Sequence, residues 1–107
     1  MTRYVEGEDN VVKISIFGKP GCARCNTTKK KLNHFLGKWE LDHDVDLVFH
    51  NLDTLEGRAE GAFYDVSDIP LTVIEREGRE VARWDGEVPN SDSVRAVIEG
   101  QQHVAAH

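Results

Sequence analysis

The sequence has few apolar stretches, little proline and almost no cysteine. Of its 107 residues, 39% are hydrophobic and 30% are charged, with a net charge of -6. No apolar run approaches the roughly 18 residues that a membrane-spanning helix needs, so we expect no membrane segment. The first residues, 1–10, are polar and acidic, which is unlike a secretory signal peptide, and we therefore expect a cytoplasmic protein.

Positive charge is also scarce, and it is unevenly spread. Residues 1–54 carry eight Lys and Arg against eight Asp and Glu, whereas residues 55–107 carry five Arg against eleven acidic residues. Because a surface that follows nucleic-acid phosphates needs an excess of cations, nucleic-acid binding is disfavoured. The one basic cluster, Lys29-Lys30-Lys31, is interpreted first as a solvated helix face and second as a docking patch for an acidic redox partner.

The two cysteines, Cys22 and Cys25, stand in the segment Gly18-Lys19-Pro20-Gly21-Cys22-Ala23-Arg24-Cys25, directly after an apolar run. In a reducing compartment, a lone cysteine pair is more often catalytic or metal-binding than a structural crosslink. A C-x-x-C at a strand-to-helix transition is typical of dithiol redox motifs. The unpaired N–H groups and partial positive charge of a helix N-terminus stabilise a thiolate there. We therefore predict reversible dithiol–disulfide chemistry.

The residue pattern predicts one domain with the element order β-α-β-α-β-β-α. The predicted strands are 11–17, 45–50, 70–75 and 80–84, and the predicted helices are 22–36, 55–64 and a last one capped by Ser91 or Ser93. Gly37 is expected to close the first helix, and Glu77-Gly78-Arg79 to turn a hairpin between the last two strands. The predicted fold class is α/β, with a four-stranded mixed sheet and helices on both faces. The domain would span residues 11–100, between a flexible N-terminal segment (1–10) and a C-terminal tail (101–107).

Three local motifs resemble the thioredoxin fold superfamily, and in particular its small glutaredoxin-like members. Lys19-Pro20-Gly21-Cys22-x-x-Cys25 is similar to the K-P-x-C-x-x-C of glutaredoxins. Asn51-Leu52-Asp53, followed by residues 64–70, resembles the thioredoxin stretch that ends in Ile-Pro-Thr. Gly78 and Gly86 stand where thioredoxins place their hairpin glycine and the glycine of the following loop. The resemblance spans nearly the whole domain and implies a thioredoxin-like fold.

The resemblance also implies roles for residues around the dithiol. Cys22, nearer to solvent and to the helix N-terminus, would attack a substrate disulfide as the thiolate. Cys25 would then resolve the mixed disulfide and leave the pair oxidised. Lys19 would lower the pKa of the thiolate or meet a substrate carboxylate, and Arg24 would act on the thiolate from inside the motif.

A substrate groove beside the dithiol is implied as well. Pro70 would be cis and face the dithiol, and the backbone of Ile69 would pair with an incoming substrate strand. The expected rims of this groove are Asp68, Ile69 and Pro70 on one side, and Asp85, Gly86 and Glu87 on the other. Carboxylates beside a cationic loop suggest a partner that is chosen by charge.

Some residues of this sequence depart from the motifs of thioredoxins or of glutaredoxins. Gly21 and Ile16 stand where thioredoxins carry a Trp and a buried Asp. The glutathione signature of glutaredoxins, Gly-Gly followed by Cys or Ser-Asp-Asp, is replaced by the sequence of residues 84–93. The first half of the chain thus resembles a glutaredoxin and the second half a thioredoxin.

The predicted function is that of an enzyme, a thiol–disulfide oxidoreductase that reduces protein or small-molecule disulfides. No bound cofactor or metal is expected besides the redox-active Cys22–Cys25 disulfide. Electrons would come from a flavin-dependent reductase of the thioredoxin reductase type or from glutathione. We expect a monomer whose substrates are disulfide-containing proteins and whose role lies in electron transport and cell redox homeostasis.

Other interpretations of the cysteine pair stay open. The two thiols could be inert, or they could bind a metal or an iron–sulfur cluster shared between two subunits. A zinc site wants four ligands, and the sequence offers neither a second C-x-x-C nor a histidine at ligand spacing. The chain could also be a redox-inactive interaction domain, because a fold alone does not decide function.

Overall fold

The computed structural model describes residues 11–100. A single β-sheet lies at the centre of this part of the chain. The elements are β1 (Val12–Gly18), α1 (Ala23–Lys38), β2 (Val45–Asn51), α2 (Leu55–Phe63), β3 (Leu71–Arg76), β4 (Arg79–Asp85) and α3 (Ser91–Ile98). The predicted order β-α-β-α-β-β-α is confirmed, with small shifts at the element ends. The segments expected to be flexible, 1–10 and 101–107, lie outside the described residues.

The strand order in the sheet is β2-β1-β3-β4. β1 pairs in parallel with β2 and antiparallel with β3, and β3 pairs antiparallel with β4, so the sheet is mixed as predicted. β1 has neighbours on both sides and is covered on both faces, which explains its nearly continuous apolar sequence: Ile14, Ile16 and Phe17 are fully buried. The last residue of this central strand, Gly18, thus lies close to the start of α1.

Helices cover both faces of the sheet, which confirms the prediction. On one face the core joins α1 and α3 to the sheet through Leu32, Leu36, Val94 and Val97. On the other face Phe17, Leu71 and Val73 pack with Leu52, Tyr64 and Val66 from the ends of α2. No helix in residues 11–100 is both long and apolar enough to span a bilayer.

The end of α1 differs from the prediction that Gly37 closes it. The helix continues through Lys38, and Trp39 caps it by donating its backbone N–H to the carbonyl of Phe35 at 2.8 Å. The residue with positive φ is Glu40 (φ 60°), not the glycine. Trp39 packs against the core of α1 and α3, and this contact holds the additional residues in the helix.

The three consecutive lysines of α1 do not form one patch. Successive helical residues point about 100° apart, so three in a row cannot share a face. Lys29 lies over the ring of Phe49, with its Nζ 4.8 Å from the centroid, whereas Lys30 is exposed and Lys31 is half-buried. The solvated-helix interpretation accounts for them better than a docking patch does.

His50 on β2 makes the stability of the fold sensitive to acid. Its imidazole stacks on Phe17, with ring centroids 4.5 Å apart. Burial lowers the pKa of His50 below the usual 6.5, with Glu60 opposing the shift and Lys13 adding to it. Because the folded-state pKa is the lower one, this group contributes stability above about pH 6.5 that is lost as the pH falls.

We therefore expect His50→Gln to flatten the acid side of the stability profile. The free energy of unfolding, measured with urea at a series of pH values, should fall less steeply below about pH 6.5 than in the wild type. His34→Gln, at an exposed histidine of α1, should keep the wild-type slope. Equal acid-side slopes for wild type and His50→Gln would contradict this assignment.

Candidate active site

The two cysteines are joined in a disulfide at the start of α1, with their Cα atoms 5.2 Å apart. Cys22 has extended backbone dihedrals and caps the helix, and its Sγ accepts the backbone N–H of Cys25 at 3.2 Å. Cys22 is partly exposed, whereas Cys25 is fully buried. The pair is therefore asymmetric: only one sulfur is open to a partner, and that one sits at the positive end of the helix.

The loop before the cysteines is fixed by hydrogen bonds at both ends. The backbone N–H of Cys22 donates to the carbonyl of Lys19 at 3.1 Å. The side-chain amide of Asn26 donates to the carbonyl of Pro20 at 2.9 Å, which ties the loop to the first turn of α1. Lys19 itself is exposed, beside the entrance to the dithiol. Asn26 was not singled out from the sequence, and its spacing of one turn after Cys22 is the only signal for it.

Gly18 is a site residue that sequence reasoning missed. A Cβ at this position would lie 2.6 Å from the Sγ of Cys25 and 2.7 Å from its Cβ. The carbonyl of Gly18 also accepts the backbone N–H of Leu52 at 2.9 Å, which holds the strand end in place. Only glycine leaves room for the buried sulfur at this point of the sheet.

We expect Gly18→Ala to displace Cys25 and to destabilise the oxidised protein. Overpacking of a well-packed interior costs roughly 1–3 kcal/mol, and a strand backbone gives way less easily than a side chain. Gly21→Ala is the matched control, because a Cβ there meets nothing within 4 Å. Urea unfolding of both oxidised variants should show the loss for Gly18→Ala only; a similar stability for the two would contradict the close approach.

The peptide bond between Ile69 and Pro70 is cis, as the resemblance implied. Pro70 directly precedes β3, whose first residue, Leu71, pairs with Phe17 near the end of β1. Pro70 is fully buried, and Ile69 is half-buried. Among residues 11–100, Ile69 makes no backbone–backbone hydrogen bond.

Arg24 reaches from α1 to the loop after β4. Its Nη1 donates to the carbonyl oxygen of Gly86 at 2.7 Å. The backbone N–H of Gly86 in turn donates to the carbonyl of Pro70 at 2.8 Å. Three of the residues predicted from the sequence are thus linked directly, although the sequence did not indicate that Arg24 contacts the loop.

The carboxylate of Asp85 forms an ion pair within the fold. Both of its carboxylate oxygens lie 3.3 Å from the Nε of Arg83. The same guanidinium donates to the backbone carbonyls of Tyr64 and Asp65, at 2.9 and 3.2 Å. The charge of Asp85 is therefore partly neutralised within the fold, whereas Asp68 and Glu87 are exposed.

A groove of about 380 Å³ opens beside Lys19. Its lining consists of Lys19, Leu52, Arg58, Gly61, Ala62 and Val66. Two cations thus border an apolar floor next to the loop that carries the dithiol. Arg58 was not identified from the sequence, because only the fold of α2 against the loop brings it there. Elsewhere in residues 11–100, no group of three His, Cys, Asp or Glu side chains is placed to hold a metal ion.

Neither a protein-family model nor a curated protein matches this chain. Solved structures do. Thioredoxin-2, a component of the malaria parasite protein secretion machinery, is 19% identical with a TM-score of 0.71, over 85% of this chain and 84% of that one. Thioredoxin from Fasciola hepatica is 21% identical with a TM-score of 0.68, over 88% of this chain and 85% of that one. Mitochondrial thioredoxin 3 from Saccharomyces cerevisiae, in its oxidised form, is 18% identical with a TM-score of 0.67, over 85% and 79%.

These similarities, together with the sheet order and the C-x-x-C pair at the start of α1, show that the chain has the thioredoxin fold. The sequence motifs predicted this fold correctly. At such low identities the likeness concerns the fold, and the activity has to be argued from the site itself.

Proposed function

We propose that the chain is a thiol–disulfide oxidoreductase that reduces disulfides of proteins or small molecules through Cys22 and Cys25. The observation that carries the proposal is the asymmetry of the pair. Cys22 caps the helix and is partly exposed, whereas Cys25 is fully buried one turn away. A partner disulfide can reach the first sulfur but not the second.

The proposed reaction transfers two electrons from the dithiol to the substrate. The Cys22 thiolate attacks one sulfur of the substrate disulfide, and the other substrate sulfur leaves as a thiolate and takes up a proton. Cys25 then loses its proton and attacks the Sγ of Cys22. This step releases the second substrate thiol and forms the Cys22–Cys25 disulfide that the structure contains.

The backbone of the site supports the first step. The N–H of Cys25 points at the Sγ of Cys22 and would stabilise a thiolate at the same place after reduction. Lys19 lies in the adjoining loop and adds a cation there. A buried carboxylate next to the dithiol is not available as a proton acceptor from β1, because the residue at that position is the fully buried Ile16.

The surroundings of the dithiol suit a substrate that has both an extended peptide strand and a carboxylate. The backbone of Ile69, which makes no backbone–backbone hydrogen bond among residues 11–100, would pair with a substrate strand. Lys19 and Arg58, which line the groove next to the loop before the cysteines, would bind a carboxylate of the substrate. Such a carboxylate can belong to a protein side chain or to glutathione. We propose disulfide-containing proteins as substrates.

The proposed electron donor is a flavin-dependent reductase of the thioredoxin reductase type, with glutathione as the second possibility. We also propose that the protein is a cytoplasmic monomer that acts in electron transport and redox homeostasis. Glutathione is retained as a candidate donor because the motif Lys19-Pro20-Gly21-Cys22 resembles that of glutaredoxins. The two donors are distinguished by which one supports turnover.

The proposed function is tested by the reduction of insulin disulfides with the wild-type protein. Turnover is followed with dithiothreitol, with NADPH and a thioredoxin reductase, and with NADPH, glutathione and glutathione reductase. We expect acceleration over the protein-free rate with dithiothreitol and with at least one enzymatic donor. Rates equal to the protein-free rate with every donor would overturn the proposal and favour the redox-inactive interaction domain.

A further inference from the structure

The loop after β4 is held in place around Gly86. This residue has a φ of 72°, which favours glycine, and its N–H donates to the carbonyl of Pro70 at 2.8 Å. A Cβ on Gly86 would lie 3.1 Å from the Cβ of Asp68, so the loop and the segment before Pro70 are in close contact. The Gly86 carbonyl accepts a hydrogen bond from the Nη1 of Arg24, at 2.7 Å.

These contacts form a chain of hydrogen bonds across the site. It runs from the guanidinium of Arg24, in the first turn of α1, through the Gly86 peptide groups to the carbonyl of Pro70. It therefore connects the start of α1, where the cysteine pair lies, with the Gly86 loop and the Pro70 segment, which are the two rims of the substrate groove expected from the sequence. Arg24 supplies the link to the helix, and among the described residues no other side chain of α1 hydrogen-bonds to that loop.

We propose that Arg24 is a positioning residue, which holds the Gly86 loop against the Pro70 segment and so fixes the groove in which a substrate strand lies beside Cys22. The inference rests on the proposed function, because it concerns how that substrate is bound. It differs from the role expected from the sequence, in which the charge of Arg24 acts on the thiolate. Arg24 is exposed, so solvent and salt screen the effect of its charge on the thiolate, whereas its charge-assisted hydrogen bond to Gly86 is short, at 2.7 Å.

The two roles predict different kinetic changes. Loss of a positioning contact weakens substrate binding and raises KM, whereas loss of a charge that stabilises the thiolate acts on the reactivity of Cys22. We expect Arg24→Met, which keeps the unbranched apolar part of the side chain and removes the guanidinium, to raise KM for a protein disulfide by about five- to tenfold. A tenfold change corresponds to about 1.4 kcal/mol. The kcat should stay within about a factor of two of the wild-type value, because the thiols themselves are unchanged.

The experiment compares Arg24→Met, Arg24→Lys and the control Lys30→Met, which removes one exposed cation from the same helix. Steady-state kinetics with insulin give KM and kcat, and the pH dependence of alkylation gives the reactivity of Cys22. Amide hydrogen exchange at Gly86, followed by NMR, reports whether the loop is held. We expect faster exchange at Gly86 in Arg24→Met, an intermediate value in Arg24→Lys, and wild-type kinetics and exchange in Lys30→Met.

Two results would overturn the inference. One is unchanged exchange at Gly86 together with an unchanged or lower KM in Arg24→Met. The other is a fall in kcat with an altered alkylation profile and no change in KM, which would return Arg24 to a purely electrostatic role. If the wild type reduces no disulfide, the proposed function fails, while the exchange of Gly86 still decides whether Arg24 holds the loop.

Discussion

Cys22→Ser is expected to lower disulfide reduction to the protein-free rate, and Cys25→Ser to stop the reaction halfway. Cys22 carries the only sulfur of the pair that is partly exposed, so without it no substrate disulfide can be attacked. Serine at position 25 leaves the attacking thiol in place but removes the thiol that resolves the intermediate. Cys25→Ser should therefore accumulate a mixed disulfide with the substrate on Cys22.

The measurement combines the insulin assay with non-reducing electrophoresis and mass spectrometry of the trapped species. The two serine variants are matched controls for each other, since each replaces one sulfur by oxygen at nearly the same size. The mixed disulfide should form with Cys25→Ser and should be reduced when dithiothreitol is added. An adduct on Cys25 in the Cys22→Ser protein, or turnover by that protein, would reverse the assigned roles.

Gly57→Ala is expected to cause a large loss of stability, of about 2–3 kcal/mol, within the range for overpacked interiors. A Cβ on Gly57 would overlap the carbonyl oxygen of Asn51. That carbonyl cannot move freely, because it accepts the backbone N–H and the hydroxyl of Thr54, at 3.0 and 2.8 Å. The Thr54 hydroxyl in turn accepts the N–H of Gly57 at 2.9 Å and caps α2.

Gly61→Ala is the control on the same helix. A Cβ on Gly61 would lie 2.9 Å from the Cδ2 of Leu52, which is the end of a flexible side chain. That methyl group can rotate away, and alanine recovers up to about 1 kcal/mol of helix propensity, so we expect little net change. The free energy of unfolding is measured with urea for both variants. Equal losses for the two would show that α2 does not approach β2 as closely as the structure has it.

The order of elements and the two covered faces followed from the sequence because they depend on local patterns. The apolar run of β1 and the seven- and four-residue spacing of Cys25, Leu32 and Leu36 are sufficient to predict a buried strand and a helix packed on it. The end of α1 did not follow. Gly37 looked like a helix terminator, but the packing of Trp39 extends the helix beyond it.

The glycines show most clearly what a sequence pattern leaves out. The pattern of residues 55–64 predicts a helix although it contains Gly57 and Gly61, and glycine is a poor helix former. In the structure both are buried: the backbone of Asn51, at the end of β2, leaves no space for a Cβ on Gly57, and the side chains of Leu52 and Val66 lie close to Gly61. Gly18 went unnoticed for the same reason: its contact with Cys25 joins two elements, and no local pattern reports such a contact.

The cysteine pair and Pro70 could be predicted because the motifs around them are local. The partners of Arg24 and Asp85 could not. Arg24 binds a carbonyl 62 residues further along the chain. Asp85 lies within 3.3 Å of Arg83, whose guanidinium also binds the carbonyls after α2. Such contacts depend on the register of β4 and on the course of two loops.

The most direct test of the central claim is the reduction potential of the Cys22–Cys25 pair, measured by equilibration in dithiothreitol redox buffers with thiol labelling. We expect a single two-electron transition, in the range of roughly -270 to -200 mV that thioredoxins and glutaredoxins span. A value near -270 mV would favour a flavin reductase as the donor, and a value near -200 mV would favour glutathione. A pair that never closes to a disulfide, or one that titrates near the roughly -120 mV of a strong oxidant, would contradict a disulfide reductase.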